Sequence, residues 1–463
     1  MRYERTRLGL VLLLALAVRL AFLAVTSAPD FLSIDGEDYR DIAANLAAGK
    51  GYSISFYRWF EPEPLDAPSA LHPDFYRPPL LPLIGAALFE LPGPWLLWAR
   101  ATVLLLGLLA VLLCFLIARE CLSPRTALIA ALVLALYPYA IWFSARWSTE
   151  MLMAVCLMAA VWLMLRVRSR ATVSAFLGIG TFLGLATLAR PNGLLLAIAL
   201  PLLLLSRLLP PLRVRAAGLI ALSFVLVVGP WSLRNARLTG VPNPVTFFGP
   251  YQMWLGMNPR MDEMYRAGAS PRFNELHEAL YRVDSAGHVR EQERLGIFDP
   301  RTTGKYWLRQ VTRFVSNHPL AAARICAARF VHFLRPWPNP VSADTHIFWL
   351  SLLSVAPLTL CALYALLRYP AVREPALYLP AIVGLVGSIP FDFSLRLRFP
   401  VFDPYLVLLA APTVSLALLD LIPWAHITKA FTGRLVLSRP WLSGADCVRA
   451  ALPGQGRARP SRR

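Results

Sequence analysis

An acidic segment near the N terminus, Asp-Gly-Glu-Asp-Tyr starting at Asp35, directly follows the first long apolar run. We expect a helix over residues 35–48, ended by a Gly-Lys-Gly sequence. The helical period puts Asp35, Tyr39, Ile42 and Leu46 on one face, so a single carboxylate stands at the N-terminal end of an apolar face. Such a carboxylate can serve as a general base or as a helix cap, and the spacing alone favours the cap.

Several arginines further along the chain have side chains that can bind a phosphate with two hydrogen bonds each. They are Arg77, Arg146, Arg190, Arg234, Arg396 and Arg398. For each of these arginines considered alone, the favoured interpretation is that its side chain extends to the lipid headgroups. Glu150 is harder to explain this way, because a carboxylate at the edge of an apolar segment is costly unless it is paired. Arg19, inside the first apolar run, has no partner that the sequence identifies.

One carboxylate and several arginines suit the transfer of a sugar from a lipid phosphate to a hydroxyl group. Phosphate is a good leaving group whose charge arginines can hold, so its departure needs no general acid. A single base then suffices to take the proton of the attacking hydroxyl, and direct displacement inverts the anomeric centre.

The composition places these residues in a membrane protein. The chain has 463 residues, of which 57% are hydrophobic and 16% charged, and its mean hydropathy is +0.53. That is too little polar surface for a water-soluble globule of this size. The net charge of +19 comes from short basic clusters between apolar runs, which argues against nucleic acid binding. The six cysteines form no close pair with ligand spacing, so neither a disulfide framework nor a zinc site is predicted.

About ten segments have the roughly 20 apolar residues that a membrane span needs, although some are short. They are residues 8–27, 97–118, 126–145, 150–165, 172–188, 192–206, 215–232, 345–367, 375–391 and 399–421. Residues 79–91 are apolar but too few to cross, so we predict a helix lying in the membrane interface, with a tilted short span as the alternative.

The arginines orient these spans, because short cytoplasmic loops collect positive charge. With ten spans, the short basic connections all lie on the cytoplasmic side, as do both termini. Within the first outer loop, 28–96, residues 28–78 instead hold nine acids against four bases. The sequence therefore divides into four parts. They are an N-terminal membrane module (1–232), a large outer loop (233–343), a C-terminal membrane module (344–422) and a basic cytoplasmic tail (423–463). Within the large loop, residues 320–335 predict a basic helix, either interfacial or part of a small soluble subdomain.

A series of motifs, in this order along the chain, resembles the GT-C superfamily of polyprenyl-phosphate-sugar-dependent glycosyltransferases. The resemblance is to the bacterial branch related to protein O-mannosyltransferases and to the aminoarabinose transferase of lipid A, and it runs from the first span to about Ala411. The motifs are Asp35 with Tyr39, Ala43-Ala44 and Gly49-Lys-Gly-Tyr52; Arg77-Pro-Pro-Leu-Leu-Pro82; Arg146-Trp-Ser-Thr-Glu150; Arg190-Pro-Asn-Gly193; Pro230-Trp-Ser-Leu-Arg-Asn235; Gly256-Met-Asn-Pro259; and Leu395-Arg-Leu-Arg-Phe-Pro400.

The resemblance implies an all-α polytopic membrane protein with the GT-C fold, about ten transmembrane helices and juxtamembrane helices. It implies Asp35 as catalytic base. It implies substrate-binding roles for Tyr39, Arg77, Glu150, Arg190, Arg396 and Arg398. Arg77, Arg396 and Arg398 would lie near the lipid phosphate, and Glu150 would shape the site.

The partners implied are a polyprenyl-phosphate sugar donor, a glycan, lipid or protein hydroxyl acceptor, and membrane lipids. The location implied is the bacterial inner membrane, with the active site facing the periplasm.

Two departures from the family's pattern leave alternatives open. Many relatives have consecutive Asp-Glu where this chain has Asp35-Gly-Glu37, so Glu37 and Asp38 compete with Asp35 as the base. Aminoarabinose transferases have a metal-binding acid where this chain has Tyr76, so a metal requirement is not supported and no cofactor is expected, while His72 and Asp74 nearby leave a divalent metal as an open alternative. The rival from another class is a transporter or lipid-linked-sugar flippase. It would show inverted repeats and broken helices, and the sequence indicates neither.

Overall fold

The computed structural model describes residues 2–64, 71–268, 271–337, 345–391 and 395–421. The predicted basic tail, 423–463, lies outside the described residues. Helices account for most of this chain. The only strands among the described residues are β1 (Ser53–Ile54) and β2 (His72–Pro73), which pair antiparallel with Ile54 opposite His72.

The helices fall into three groups along the chain. The first ten are α1 (Arg2–Val25), α2 (Ala28–Ala47), α3 (Leu80–Phe89), α4 (Trp95–Cys121), α5 (Pro124–Leu136), α6 (Pro138–Phe143), α7 (Thr149–Val167), α8 (Val173–Ala189), α9 (Gly193–Ser206) and α10 (Pro210–Thr239). The outer region has α11 (Gly249–Gly256), α12 (Pro259–Ala267), α13 (Pro271–Ala279), a π-helical turn (Leu280–Ser285), α14 (Ala286–Arg294), α15 (Pro300–Asn317) and α16 (Pro319–Leu334). The last group has α17 (Thr345–Arg368), a 3-10 turn (Pro370–Arg373), α18 (Pro375–Ser388), α19 (Leu395–Arg398) and α20 (Asp403–Leu421).

Within the described ranges, five helices are long and apolar enough to cross a membrane by length and composition. These are Glu4–Val25 within α1, α4, α7, α10 and His346–Arg368 within α17. The other predicted spans correspond to shorter apolar helices, and the predicted interfacial segment 79–91 forms α3. The chain is a multi-pass membrane protein.

The predicted span 126–145 is wrong as one continuous helix. The structure divides it into α5 and α6, with extended backbone at Tyr137. Pro138 explains the break, because proline has no N–H to donate and disfavours helical backbone at the residue before it.

The buried apolar residues form two large clusters. The membrane cluster centres on α7, whose residues are nearly all buried, and includes residues of α4, α5, α8 and α20. The outer cluster contains Tyr251, Trp254 and Trp307 of the large outer loop together with Phe60 and Tyr76 of the first outer loop. The two outer loops therefore pack into one core, and that core positions the first loop.

The helix that carries Asp35 has a sharp kink two residues earlier. Ser33, inside α2, has φ 55° and ψ 174°, a conformation that costs a non-glycine residue on the order of 1–3 kcal/mol. The expected end of the helix is confirmed, since Ala48 is the C-cap and Gly49 has φ 74°. Gly36 lies against the chain before α7, where a Cβ would come within 3.0 Å of the Trp147 carbonyl oxygen. The kink and this close contact fix how the Asp35 turn meets the start of α7.

Arg19, inside α1, is 1% exposed. It donates hydrogen bonds to Ser144 Oγ at 3.1 Å and to the Ala135 carbonyl oxygen at 2.9 Å. The partners that the sequence could not identify are therefore supplied by the ends of α5 and α6.

Candidate active site

Both carboxylate oxygens of Asp35 contact arginines. Oδ1 accepts a hydrogen bond of 2.7 Å from Arg77 Nη2, and Oδ2 accepts one from Arg396 Nη1. Burial alone would raise the pKa of Asp35, but the charges of Arg77 and Arg396 outweigh it and hold the pKa well below its usual range. The side chain keeps 23% of its surface exposed. Asp35 is thus an ionised carboxylate that a substrate can reach.

Glu150, at the start of α7, is fully buried and is paired as its position in the sequence requires. Arg396 Nε donates to Glu150 Oε1, and Arg190 Nη1 lies 2.7 Å from the same oxygen. Arg190 also donates to Thr149 Oγ1 at 3.1 Å. Arg396 therefore bridges two carboxylates, Asp35 and Glu150, that are far apart in sequence.

Tyr39 lies one helical turn after Asp35 and is 3% exposed. The Arg77 guanidinium carbon sits 5.6 Å from the centre of the Tyr39 ring, within cation–π range. Burial raises the pKa of the Tyr39 phenol. The uncharged Tyr39 ring thus packs beside Arg77, the arginine that donates to Asp35.

Another arginine, Arg58, connects three buried acids next to this site. Its Nε donates to Asp38 Oδ2 at 2.6 Å, its Nη2 lies 2.6 Å from Asp74 Oδ2, and its Nη1 contacts Glu61. Arg77 joins this network because its Nε donates to the same Asp38 oxygen at 2.7 Å. Sequence reasoning gave Arg58 no role. The signal was the excess of acids in the first loop, because an acid that becomes buried needs a cationic partner and the loop offers few bases.

The backbone around Arg77 is fixed by three side chains. Asp74 Oδ1 accepts hydrogen bonds from the N–H groups of Tyr76 at 3.1 Å and Arg77 at 2.8 Å. The Tyr52 hydroxyl donates to the Arg77 carbonyl oxygen at 3.0 Å. Arg234, on α10, donates to the Asp74 carbonyl oxygen at 2.8 Å. Arg234 therefore acts on the loop backbone and holds in place the segment that carries Arg77.

The two competitors for the role of base have different surroundings. Glu37 points to the exposed side of α2. Asp38 is 3% exposed and is held by both Arg58 and Arg77. Of the three acids in the segment, Asp35 is the one that both contacts the site arginines Arg77 and Arg396 and leaves part of its carboxylate exposed to a substrate.

Arg398 lies in a different place from the rest of the predicted site residues. It is fully buried, with Nε 2.9 Å from Asp403 Oδ1 and Nη1 2.8 Å from the Arg335 carbonyl oxygen. Its guanidinium also lies 5.8 Å from the centre of the Tyr139 ring. The structure thus brings Asp35, Tyr39, Arg77, Glu150, Arg190 and Arg396 together and places Arg398 in a separate ion pair.

Within the described part of the chain, no group of three or more His, Cys, Asp or Glu side chains is arranged to hold a metal ion. Tyr76, at the position where some relatives have a metal-binding acid, is buried against Phe60 and Phe248.

Comparison with known proteins finds a family model and several solved structures that this chain resembles. Residues 76–232 match the family model described as dolichyl-phosphate-mannose-protein mannosyltransferase. The archaeal oligosaccharyltransferase AglB from Archaeoglobus fulgidus, in complex with an inhibitory peptide and a dolichol-phosphate, superposes with a TM-score of 0.54 at 16% identity. The alignment covers 97% of this chain and 53% of AglB. Over residues 76–232 the chain is similar to this family, and over most of its length it shares the fold of AglB.

The crystal structure of the same Archaeoglobus enzyme in the apo form gives a TM-score of 0.55 at 15% identity, covering 97% of this chain and 54% of that one. ArnT from Cupriavidus metallidurans bound to undecaprenyl phosphate is 18% identical over 92% of this chain and 80% of its own, but its TM-score of 0.39 is too low to support conclusions. No curated protein matches the sequence. The chain spans about half the length of the Archaeoglobus structures that it matches. At 15–16% sequence identity, the structural likeness to the Archaeoglobus enzyme establishes the fold alone.

Proposed function

We propose that this protein is a membrane glycosyltransferase that moves a sugar from a polyprenyl-phosphate donor to a hydroxyl acceptor. The observation that carries the proposal is the Asp35 carboxylate, ionised, partly exposed and held between Arg77 and Arg396. The fold shared with AglB, whose structure contains a dolichol-phosphate, supports a lipid-phosphate donor.

In the proposed reaction, Asp35 takes the proton of the acceptor hydroxyl as its oxygen forms a bond to the anomeric carbon. The bond from that carbon to the phosphate oxygen breaks, and the polyprenyl phosphate leaves as an anion. Attack opposite to the leaving group inverts the anomeric centre. Because the low pKa of Asp35 keeps it ionised, it is ready to accept a proton without first losing one.

The arginines have a second task in this proposal. Arg77, Arg190 and Arg396 present guanidinium groups around Asp35 and Glu150. They can accept the negative charge that develops on the departing phosphate, which is where fixed positive charge lowers the barrier. Arg396 is the best placed, because its side chain is 36% exposed while it contacts both acids.

The location follows from the charge distribution in the sequence. Basic short loops favour cytoplasmic termini, and the acidic first loop then lies outside. We therefore place the site at the extracytoplasmic face, facing the periplasm of a bacterial inner membrane.

The proposal is tested with Asp35→Asn and the control Glu37→Gln, two isosteric changes two residues apart on one helix. Mass spectrometry of prenyl-phosphate sugars in a deletion strain identifies the donor that accumulates, and that donor is then supplied to purified protein in proteoliposomes. Loss of a general base predicts a fall in transfer of about 10²- to 10⁴-fold for Asp35→Asn. Glu37→Gln should transfer at the normal rate. Normal transfer by a correctly inserted Asp35→Asn would refute the assignment, and a deletion strain with unchanged lipid-linked sugars would favour a transporter.

A further inference from the structure

The outward side of α15 carries a row of positive charge at four-residue spacing. Arg301, Lys305, Arg309 and Arg313 are all exposed and follow one another at successive helical turns. The opposite side of this helix is anchored in the outer cluster by buried aromatic residues such as Trp307. The row is therefore displayed on a rigid support.

Three of these four bases have no acidic partner among the residues that the structure describes. Only Arg301 has one, Asp299, with 3.8 Å between the charged groups. Some arginines elsewhere in the outer region are paired, such as Arg260 with Asp284 at 2.9 Å and Arg324 with Asp262 at 2.8 Å. The uncompensated charge on α15 favours an anionic partner.

The neighbours of α15 place this row beside the membrane. α10 has 30 residues, a length of about 45 Å, so its ends extend beyond a hydrocarbon core of about 30 Å. A Cβ at Gly240, the C-cap of α10, would lie 3.9 Å from Arg301 Nη1. The first base of the row is thus held at the end of a membrane-spanning helix.

The following helix, α16, returns to the membrane at its other end. Phe333 belongs to the membrane cluster, and Arg329 Nη1 donates to the Ile389 carbonyl oxygen just after α18 at 2.7 Å. Between these two anchored ends, Val315 is 39% exposed and Leu320 is 81% exposed. Apolar side chains exposed next to bases are typical of helices that lie in the interface between lipid and water.

We propose that α15 and α16 form a hairpin lying along the outer membrane surface, where the α15 base row binds the headgroups of anionic phospholipids. The interfacial helix predicted from the sequence, at residues 320–335, is α16. The helix that we propose to bind the lipid phosphates is the preceding one, α15.

The test compares two matched double variants, Arg309→Gln/Arg313→Gln on α15 and Arg290→Gln/Arg294→Gln on α14. Each removes two exposed arginines four residues apart. The full-length proteins are placed in nanodiscs of phosphatidylcholine with or without phosphatidylglycerol. Native mass spectrometry measures the phosphatidylglycerol retained, and hydrogen exchange measures the protection of α15.

The α15 variant should retain phosphatidylglycerol about 25-fold more weakly than the unaltered protein, since each of the two bases near a charged surface contributes about fivefold. It should also lose the extra protection of α15 that phosphatidylglycerol confers. The α14 variant should behave as the unaltered protein. Equal losses in both variants, or no loss in either, would overturn the proposal. So would a loss of heparin binding by the α15 variant with unchanged lipid retention, which would identify a soluble acidic glycan as the partner.

Discussion

Replacing Arg58 by glutamine should destabilise the protein far more than removal of a surface arginine. The change leaves Asp38, Glu61 and Asp74, each at most 5% exposed, without the cation that contacts all three. Burial by itself lowers the pKa of Arg58, but the charges of Asp74, Glu61 and Asp38 outweigh it and hold the pKa well above its usual value. The network thus strongly favours the charged arginine. Removing one partner of a buried ion network costs about 3–5 kcal/mol.

The control is Arg266→Gln. Arg266 also contacts an acid, with Nη2 2.6 Å from Asp262 Oδ2, but its side chain is 62% exposed. An exposed ion pair contributes about 0–1 kcal/mol because water screens it. Both variants have the same change in charge and side-chain type, so the comparison isolates burial.

The free energy of unfolding can be measured by titrating the purified variants from mild detergent micelles into SDS. A deficit below about 1 kcal/mol at pH 8, or one that matches Arg266→Gln, would show that the three acids do not depend on Arg58.

Two further substitutions probe Arg396 and Arg398, which are close in sequence but differ in their contacts. Arg396→Gln removes a charge that lowers the pKa of Asp35, so that pKa should rise. The acidic limb of the pH–rate profile should then move to higher pH; a limb unmoved in this variant would exclude Asp35 as the titrating group. The lowered pKa of Asp35 also contributes to stability. That contribution is fully present above the carboxyl pKa of the unfolded chain, and it is lost as the pH falls through the lower pKa of the folded state. Arg398→Gln strands the fully buried Asp403, so it should lower stability by about 3–5 kcal/mol and leave the KM for the donor unchanged in the folded fraction. A raised KM at normal stability would instead make Arg398 a phosphate contact.

Much of the fold follows from sequence periodicity and composition. The helix after Ser33 ends where the Gly-Lys-Gly sequence predicts, because glycine adopts the left-handed conformation of a helix end without strain. The large outer loop contains the predicted helix at residues 320–335 as α16. The break between α5 and α6 shows the limit of apolar length as a criterion, since one proline divides an otherwise continuous apolar segment.

Ion pairing was harder to predict, because partners are chosen by tertiary packing. Arg58 lies in a loop with no helical period to indicate which way its side chain points. Arg396 and Arg398 are two residues apart on the short α19, so their side chains leave the helix about 200° apart and reach different acids. The sequence motif that contains both arginines cannot distinguish them.

The contact between Asp35 and Arg396 joins residues 361 positions apart. During synthesis, Asp35 leaves the ribosome 361 residues before Arg396, which follows only after most of the apolar helices have been made. The earlier partner of Asp35, Arg77, is 42 positions away and is available almost at once. The charged centre is therefore completed in two stages, and its second stage requires that the C-terminal helices have been inserted beside the N-terminal ones.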